Sequence, residues 1–196
     1  MSLLKVGICG ASGKMGKALV KAVSNNDQLE LVAALEHSEN KNIGKDVGEV
    51  ASCGKLGVEI ISDTEDFFSK SQGVIDFSFA SASIENIQIA SKHNCSYVLG
   101  TTGFEKEQIK IIEEVSNLIP VVCSANMSIG VNVILYYAEM LAKNLGNDYD
   151  AEIHEIHHRD KLDSPSGTAL AIGKAVAKGR NIDLEKNTIK SRWGIE

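Results

Sequence analysis

The sequence predicts an α/β fold in which a doubly wound, Rossmann-like parallel sheet is followed by a smaller α+β domain. Short apolar runs rich in Val and Ile alternate with stretches of helical period as far as Ser124. Near-continuous apolar strands joined by helices are typical of a parallel sheet covered on both faces. After Ser128 this alternation ends. We therefore predict a domain boundary near Ser128, with the doubly wound sheet in residues 1–128 and the smaller α+β domain in residues 129–196.

Each predicted element follows from its local pattern of apolar residues. The predicted strands of the first domain are Lys5–Gly10, Leu29–Leu35, Val58–Ser62, Val74–Phe79, Ser96–Gly100 and Pro120–Ser124. The helices predicted between them are Lys14–Ser24, Ser83–His93 and Glu105–Asn117. In the second domain, the pattern predicts helices over Gly130–Leu145 and from about Thr168 to Lys178. One further strand is predicted over Asp150–His158, because its side chains alternate between two faces, with Ala151, Ile153, Glu155 and His157 on one of them.

Charge and hydropathy disfavour several classes of protein. The formal net charge of −6 disfavours a dedicated nucleic-acid binder, because such proteins carry a basic surface. No apolar run approaches the roughly 20 residues that span a bilayer, and the N-terminus lacks the regions of a secretory signal. We therefore expect a cytoplasmic protein with no nucleic-acid or membrane partner. The four cysteines form no C-x-x-C pair, and we interpret them as reduced packing residues, with catalysis or metal binding as the alternative.

A glycine-rich loop lies between the first predicted strand and the first predicted helix. Its G-x-x-G-x-x-G spacing, from Gly10 to Gly16, permits a tight turn and a close approach of the backbone to a pyrophosphate at the helix N-terminus. Glu36 directly follows the second predicted strand, about where an acid meets a ribose hydroxyl. The residues expected to line a dinucleotide here are Gly10, Ala11, Ser12, Gly13, Lys14, Met15 and Glu36. A glycine turn without a ligand and a merely solvated Glu36 are the alternatives.

Two later strand ends carry small, hydrogen-bonding residues. They are Gly100, Thr101 and Thr102, and Ser124, Ala125, Asn126 and Met127. Ligands of open α/β sheets lie beyond the carboxyl ends of the strands. We expect these residues to contact a nicotinamide ribose and carboxamide, although each segment could equally be a plain turn.

The segment Glu155–Ala169 concentrates groups that could carry chemistry. It contains adjacent imidazoles at His157 and His158, the cations Arg159 and Lys161, and a Gly167–Thr168 pair where a helix begins. Amide N–H groups and a hydroxyl at a helix N-terminus can hold a carboxylate, and a histidine beside a lysine is suited to proton transfer. A metal held by His154, His157 and His158 and a merely solvated loop are the alternatives. Adjacent strand residues face opposite ways, so we expect no metal.

This segment resembles the E-x-H-H-x-x-K-x-D-x-P-S-G-T-A signature of the 4-hydroxy-tetrahydrodipicolinate (dihydrodipicolinate) reductases of lysine biosynthesis. Four further motifs match that family in order and spacing: Gly10–Gly16, Asp76–Ser78, Gly100–Phe104 and Asn126–Asn132. The resemblance covers essentially the whole chain, and the signature around His157 is the most specific part of it.

The resemblance implies a nicotinamide-dependent reductase that acts on a cyclic, unsaturated dicarboxylate and yields tetrahydrodipicolinate in the diaminopimelate route to lysine. By position, it makes His157 the acid/base residue and Lys161 the proton donor. It assigns a substrate carboxylate to His158, Gly167 and Thr168, and the cofactor to the loop and strand-end residues named above. Residues 1–128 are then the dinucleotide-binding domain, and residues 129–196 are the substrate-binding, catalytic and oligomerisation domain. A non-catalytic Rossmann-type sensor and a dehydrogenase of another small acid are the competing interpretations.

The residue after Glu36 bears on the choice of cofactor. Relatives that use NADPH well often place an arginine there, where it meets the 2′-phosphate, whereas this chain has His37. A neutral imidazole offers no permanent charge. We therefore expect NADH to serve at least as well as NADPH, with Lys14 or Lys41 as the alternative source of a cation.

The resemblance also bears on the extent of the chain. Reductases of this family usually continue for some tens of residues beyond the position of Glu196, and that segment completes the sheet used for tetramer assembly. We expect this chain to be an incomplete form of a homotetrameric enzyme, able to bind NADH but with little reductase activity by itself. A naturally short enzyme is the alternative.

Overall fold

The computed structural model describes residues 2–159, 163–189 and 194–195. It divides the chain into two compact units, Met1–Ser124 and Ala125–Glu196.

The apolar runs of the first unit pair into one six-stranded parallel sheet. Its strands are β1 (Leu4–Cys9), β2 (Leu29–Leu35), β3 (Ile60–Ile61), β4 (Gly73–Asp76), β5 (Ser96–Leu99) and β6 (Val121–Cys123). Their order across the sheet is β3-β2-β1-β4-β5-β6, and all five pairings are parallel. The direction of winding reverses between β1 and β4, and ligands of such sheets bind beyond the strand ends at this point. The predicted doubly wound sheet is confirmed.

Five helices accompany this sheet among the described residues. They are α1 (Lys14–Ser24), α2 (Val47–Val50), α3 (Thr64–Lys70), α4 (Ala80–Lys92) and α5 (Lys106–Ser116). The three helices predicted here correspond to α1, α4 and α5, whereas α2 and α3 were not predicted. Both are short, and each begins at an aspartate, Asp46 or Asp63, whose side chain accepts hydrogen bonds from backbone N–H groups of the first turn. A cap of this kind starts a helix without a long apolar period.

The alternation of side chains along the strands places apolar residues in two core clusters. Val6 and Ile8 of β1 pack with Val20 of α1 and Val47 of α2. Cys9, from the same strand, belongs to the second cluster, which includes residues of α3, α4 and α5. The sheet is therefore packed on both faces, as its continuous apolar strands predict.

All four cysteines are free thiols; Cys9 and Cys95 are buried and Cys123 is exposed.

The second unit is mainly helical in its described part. It contains α6 (Ile129–Leu145), a 3-10 helix (Gly146–Asp148), α7 (Gly167–Arg180), α8 (Leu184–Asn187) and a two-stranded antiparallel pair of β7 (Asp163–Ser164) with β8 (Gly194–Ile195). Helices α6 and α7 approach closely at Gly179, where a Cβ atom would lie 2.3 Å from the carbonyl oxygen of Glu139. The helices predicted in this unit correspond to α6 and α7. Among the helices described, none has the length and apolarity needed to cross a bilayer.

The predicted strand Asp150–His158 is wrong. Residues 150–158 adopt no regular secondary structure, and no strand in the described part of the chain pairs with them. A strand exists only through hydrogen bonds to a neighbour. Neighbouring positions of this segment nevertheless differ in exposure. The Glu155 side chain is 27% exposed, whereas Ile156 as a whole residue is 97% exposed.

Candidate active site

The loop after β1 turns tightly because two of its positions require glycine. Gly10 has a φ of +72°, in the left-handed region, and the Gly13 N–H donates to the Gly10 carbonyl at 3.1 Å. At Gly16, in the first turn of α1, a Cβ atom would lie 2.1 Å from the same carbonyl oxygen. The absence of both side chains therefore allows α1 to begin directly over the end of β1.

The N-terminus of α1 is suited to an anion. Its cap residue is Gly13, which has no side chain. No side-chain cap therefore accepts from the first N–H groups of the helix. Gly13, Lys14 and Met15 are exposed. A Cβ atom at Gly13 would meet only the Gly10 carbonyl, at 3.3 Å. The backbone here is open to a phosphate group, and the helix dipole favours negative charge at this end.

Glu36 is held against this loop by two side chains. The Ser12 N–H and hydroxyl both donate to its Oε1, at 2.8 and 2.7 Å. Asn40 Nδ2 donates to Glu36 Oε2 and to Ser12 Oγ, both at 3.0 Å. The structure thus brings Ser12 and Glu36 together, and it adds Asn40, which the sequence analysis missed. No pattern in the sequence distinguishes Asn40 from Asn42, two positions later.

A buried polar network lies at the ends of β4 and β5. The Asp76 side chain is fully buried and accepts from the Tyr97 hydroxyl at 2.6 Å and from the Ser78 N–H at 2.8 Å. Burial raises the pKa of Tyr97 well above its ordinary value, with Cys9 and Asp76 adding to the effect, so the phenol stays protonated and donates. The sequence analysis missed the contact between Tyr97 and Asp76.

The same network reaches a predicted cofactor residue. Ser78 Oγ lies 3.2 Å from Ser83 Oγ, and the Ser83 hydroxyl donates to Thr101 Oγ1 at 2.9 Å. Thr101 is buried, whereas Thr102 is exposed. Gly100 lies against the ring of Phe77, where a Cβ atom would be 2.1 Å from a ring carbon. Of the three residues predicted after β5, the structure therefore exposes Thr102, half-buries Gly100 and buries Thr101.

The segment after β6 ends in a helix cap. The Ser124 N–H donates to the Leu99 carbonyl at 3.1 Å, which continues the pairing of β5 with β6. Asn126 Oδ1 accepts from the Ser128 N–H at 2.9 Å, and the Asn126 carbonyl accepts from Asn132 Nδ2 at 2.9 Å. Ala125 and Met127 are exposed. Asn126 is thus already engaged in organising the start of α6.

In the second unit, Glu155 joins His157 to the start of α7. Its Oε2 lies 2.9 Å from His157 Nε2, and its Oε1 accepts from the Ser166 N–H at 2.8 Å. Hydrogen bonds from the Ser166 hydroxyl, from His157 and from the Ser166 N–H, in that order, lower the pKa of Glu155 from 4.5 to about 2. Glu155 is therefore ionised at neutral pH and can only accept, so His157 Nε2 carries a proton.

Ser166 also caps α7. Its hydroxyl oxygen accepts from the Ala169 N–H at 3.1 Å, while Gly167 and Thr168 lie exposed in the first turn. A Cβ atom at Gly167 would meet nothing within 4 Å. Ser166 thus connects Glu155 to the helix end at which Gly167 and Thr168 were predicted to bind a carboxylate.

Three further candidate residues of this segment are His158, Lys161 and His154. His158 is exposed, and Lys161 lies outside the described residues. His154 Nε2 lies 3.2 Å from Glu152 Oε2. Within residues 2–159, 163–189 and 194–195, no group of three or more His, Cys, Asp or Glu side chains is placed to hold a metal ion. In this segment, the sequence analysis assigned no role to Glu155 or Ser166, although both lie within the signature.

Two family models match the chain, one on each side of the predicted boundary. The model described as "Dihydrodipicolinate reductase, N-terminus" matches residues 4–127, and "Dihydrodipicolinate reductase, C-terminus" matches residues 130–193. These two matches agree with the family resemblance that the sequence motifs indicate.

Curated relatives and a solved structure agree with these models. The 4-hydroxy-tetrahydrodipicolinate reductase of Psychrobacter arcticus is 40% identical over 192 residues, which cover 98% of this chain and 69% of the relative. The reductase of Syntrophotalea carbinolica is 40% identical over 193 residues, which cover 98% and 72%. The dipicolinate-bound dihydrodipicolinate reductase from Paenisporosarcina sp. TG-14 aligns with a TM-score of 0.74 and 29% identity, over 91% of this chain and 67% of that one. The chain belongs to the dihydrodipicolinate reductase family.

Proposed function

We propose that the protein is a 4-hydroxy-tetrahydrodipicolinate reductase. It reduces the cyclic, unsaturated dicarboxylate formed from pyruvate and aspartate semialdehyde to tetrahydrodipicolinate, in the diaminopimelate route to lysine. The observation that carries this proposal is the match of both halves of the chain to the two models of that one reductase, over residues 4–127 and 130–193.

Most of the residues proposed to hold the cofactor lie in the first unit. The N–H groups at the start of α1, after Gly10–Gly13, bind the pyrophosphate, and Glu36 accepts from a ribose hydroxyl. Gly100, Thr101 and Thr102 line the nicotinamide side, as do Ser124, Ala125, Asn126 and Met127. When bound, the reduced nicotinamide supplies a hydride. The support from this chain is the uncapped N-terminus of α1 and the glycines that open the loop.

The second unit binds the dicarboxylate and moves the proton. The N–H groups of Gly167 and Thr168, with the Thr168 hydroxyl and His158, hold a carboxylate at the N-terminus of α7. His157 exchanges a proton at Nδ1, because its Nε2–H is engaged by Glu155. Lys161, which lies outside the described residues, is the proposed proton donor. The open space around Gly167 supports this assignment.

For the choice of cofactor, we propose that NADH serves at least as well as NADPH. Glu36 is held in place by Ser12 and Asn40, so a 2′-phosphate would meet a fixed carboxylate at the ribose. His37, which follows, is exposed. Initial rates with each cofactor at mildly alkaline pH test this preference, and a strong preference for NADPH would contradict it.

The function is tested by following the absorbance of the reduced nicotinamide with the purified full-length gene product. We expect NADH to be consumed only when the condensation product of pyruvate and aspartate semialdehyde is present. Binding of NADH without turnover would indicate a sensor module instead. Turnover with another small acid, but not with this dicarboxylate, would indicate a different dehydrogenase.

We also propose that the enzyme is a homotetramer. Support comes from α6, which leaves a row of large apolar side chains between 40% and 62% exposed: Val133, Ile134, Tyr136, Tyr137, Met140 and Leu141. Contiguous apolar surface of this kind marks interaction sites. Light scattering of the full-length gene product measures the assembly, and a monomer at assay concentration would refute it.

A further inference from the structure

The second unit contains two Glu-x-His pairs with the same spacing but different surroundings. Glu152 and His154 lie 3.2 Å apart, with side chains 80% and 85% exposed. Glu155 and His157 lie 2.9 Å apart, with side chains 27% and 38% exposed. The second pair is shorter and better shielded from water. An ion pair or hydrogen bond that is fully exposed contributes little, because solvent competes for both partners.

Only the second pair is anchored to a rigid element among the described residues. The Ser166 N–H donates to Glu155 Oε1 at 2.8 Å, and Ser166 is the cap residue of α7. Glu155 thus contacts the histidine through one oxygen and the helix end through the other. A single carboxylate group therefore links His157 to the cap residue of α7.

We propose that Glu155 is a positioning residue that fixes His157 as its Nε2–H tautomer and holds the ring at the N-terminus of α7. This inference rests on the proposed function, because it concerns the histidine that exchanges the proton. A carboxylate accepts and never donates, so the ring nitrogen that faces it must carry a hydrogen. The Nδ1 atom is then the one that exchanges a proton with the substrate.

A glutamine at position 155 would reverse this arrangement. The backbone N–H of Ser166 can only donate, so the amide oxygen of Gln would turn toward it. The amide NH2 group would then face His157 Nε2, which could accept from it only without its own hydrogen. Glu155→Gln is therefore expected to shift the proton to Nδ1 while preserving the size of the side chain.

Two measurements test the proposal. The first is the ¹⁵N NMR spectrum of the His157 ring in the wild type and in Glu155→Gln. We expect the Nε2–H tautomer in the wild type and the Nδ1–H tautomer in the variant. This measurement needs no turnover, so it stands even if the proposed reaction is absent. A wild-type ring in the Nδ1–H form would overturn the proposal, whether or not the variant folds.

The second measurement is the split between kcat and the binding of NADH. Misplacement of a reacting group costs about 10²-fold in rate, so Glu155→Gln should lower kcat by about that factor with little change in NADH affinity. Glu152→Gln is the matched control, since it alters the exposed pair alone and should leave kcat and the His157 spectrum unchanged. An unchanged kcat in Glu155→Gln, with the wild type active, would refute the positioning role.

Discussion

Asp76 in the first unit and Glu155 in the second each accept hydrogen bonds from several polar groups, but the two carboxyl groups lie in opposite surroundings. Asp76 is fully buried at the end of β4, where its donors are the Tyr97 hydroxyl and the Ser78 N–H. Glu155 is partly exposed, and one of its donors is a histidine that is also partly exposed. Burial makes the first group important for stability, whereas the second is proposed to position the histidine that exchanges a proton. Substitutions around Asp76 should therefore change the free energy of unfolding, and those around Glu155 should change turnover.

The largest expected effect is on turnover, from His157→Ala. Removal of a positioned general acid or base lowers the rate by about 10²–10⁴-fold. We expect a loss of kcat in that range with NADH affinity nearly unchanged, measured by steady-state kinetics and by NADH fluorescence. Lys161→Ala should have a similar effect. His154→Ala is the control, because that side chain is 85% exposed; an equal loss in this control would remove the distinction between the two histidines.

The next effect is on stability, from Tyr97→Phe. The substitution removes a donor to the buried Asp76 carboxyl group, and a buried acceptor left without its partner costs about 1–3 kcal/mol. We expect the free energy of unfolding in urea to fall by that amount. Tyr136→Phe should change it little, since Tyr136 is 62% exposed. If the two variants had the same free energy of unfolding, the hydrogen bond from Tyr97 to Asp76 would not contribute to stability.

A smaller effect is expected at the proposed ribose site, from Asn40→Ala. Asn40 donates to both Glu36 and Ser12, and a single hydrogen bond contributes about 0.5–1.5 kcal/mol. Loss of these bonds leaves Glu36 less well fixed, so the ratio of kcat/KM with NADH to that with NADPH should fall by a few-fold. The ratio of kcat/KM for the two cofactors measures this, with Asn42→Ala as the matched control. An unaltered ratio in Asn40→Ala would contradict the role given to Asn40.

The smallest effect concerns pH. The pKa of Glu155 is lowered from 4.5 to about 2 by hydrogen bonds from the Ser166 hydroxyl, His157 and the Ser166 N–H. A depressed carboxyl pKa contributes stability that is present above pH 4.5 and is lost as the pH falls toward 2. The Tm of the wild type should therefore fall more steeply across this range than that of Glu155→Gln. Solvent screening keeps this difference small. An equal change of Tm with pH in the two proteins, measured by thermal melts, would contradict the prediction.

The fold of the first unit was predictable because its signals are local. The predicted helix Lys14–Ser24 and strand Leu29–Leu35 have the bounds of α1 and β2, since each shows its own apolar period. Helix α3 was missed because it is too short to show such a period. The strand over residues 150–158 was wrong because strand pairing depends on a distant partner, which a local alternation cannot reveal.

The site was predictable to a lesser extent. The glycine loop, Glu36 and His157 could be predicted as site residues because motif spacing singles them out. The contact between Glu155 and Ser166 joins residues 11 positions apart in the sequence, and its geometry is not encoded in any period. Tyr97 was missed for a similar reason, because its hydroxyl reaches Asp76 across two neighbouring strands.

The most direct test is a product analysis of the full-length gene product with NADH and the condensation product of pyruvate and aspartate semialdehyde. A dihydrodipicolinate reductase should form one tetrahydrodipicolinate for each NADH oxidised, and His157→Ala should lose this activity while still binding NADH. Oxidation of NADH without tetrahydrodipicolinate, or a His157→Ala variant as active as the wild type, would contradict the assignment of this reaction to these residues.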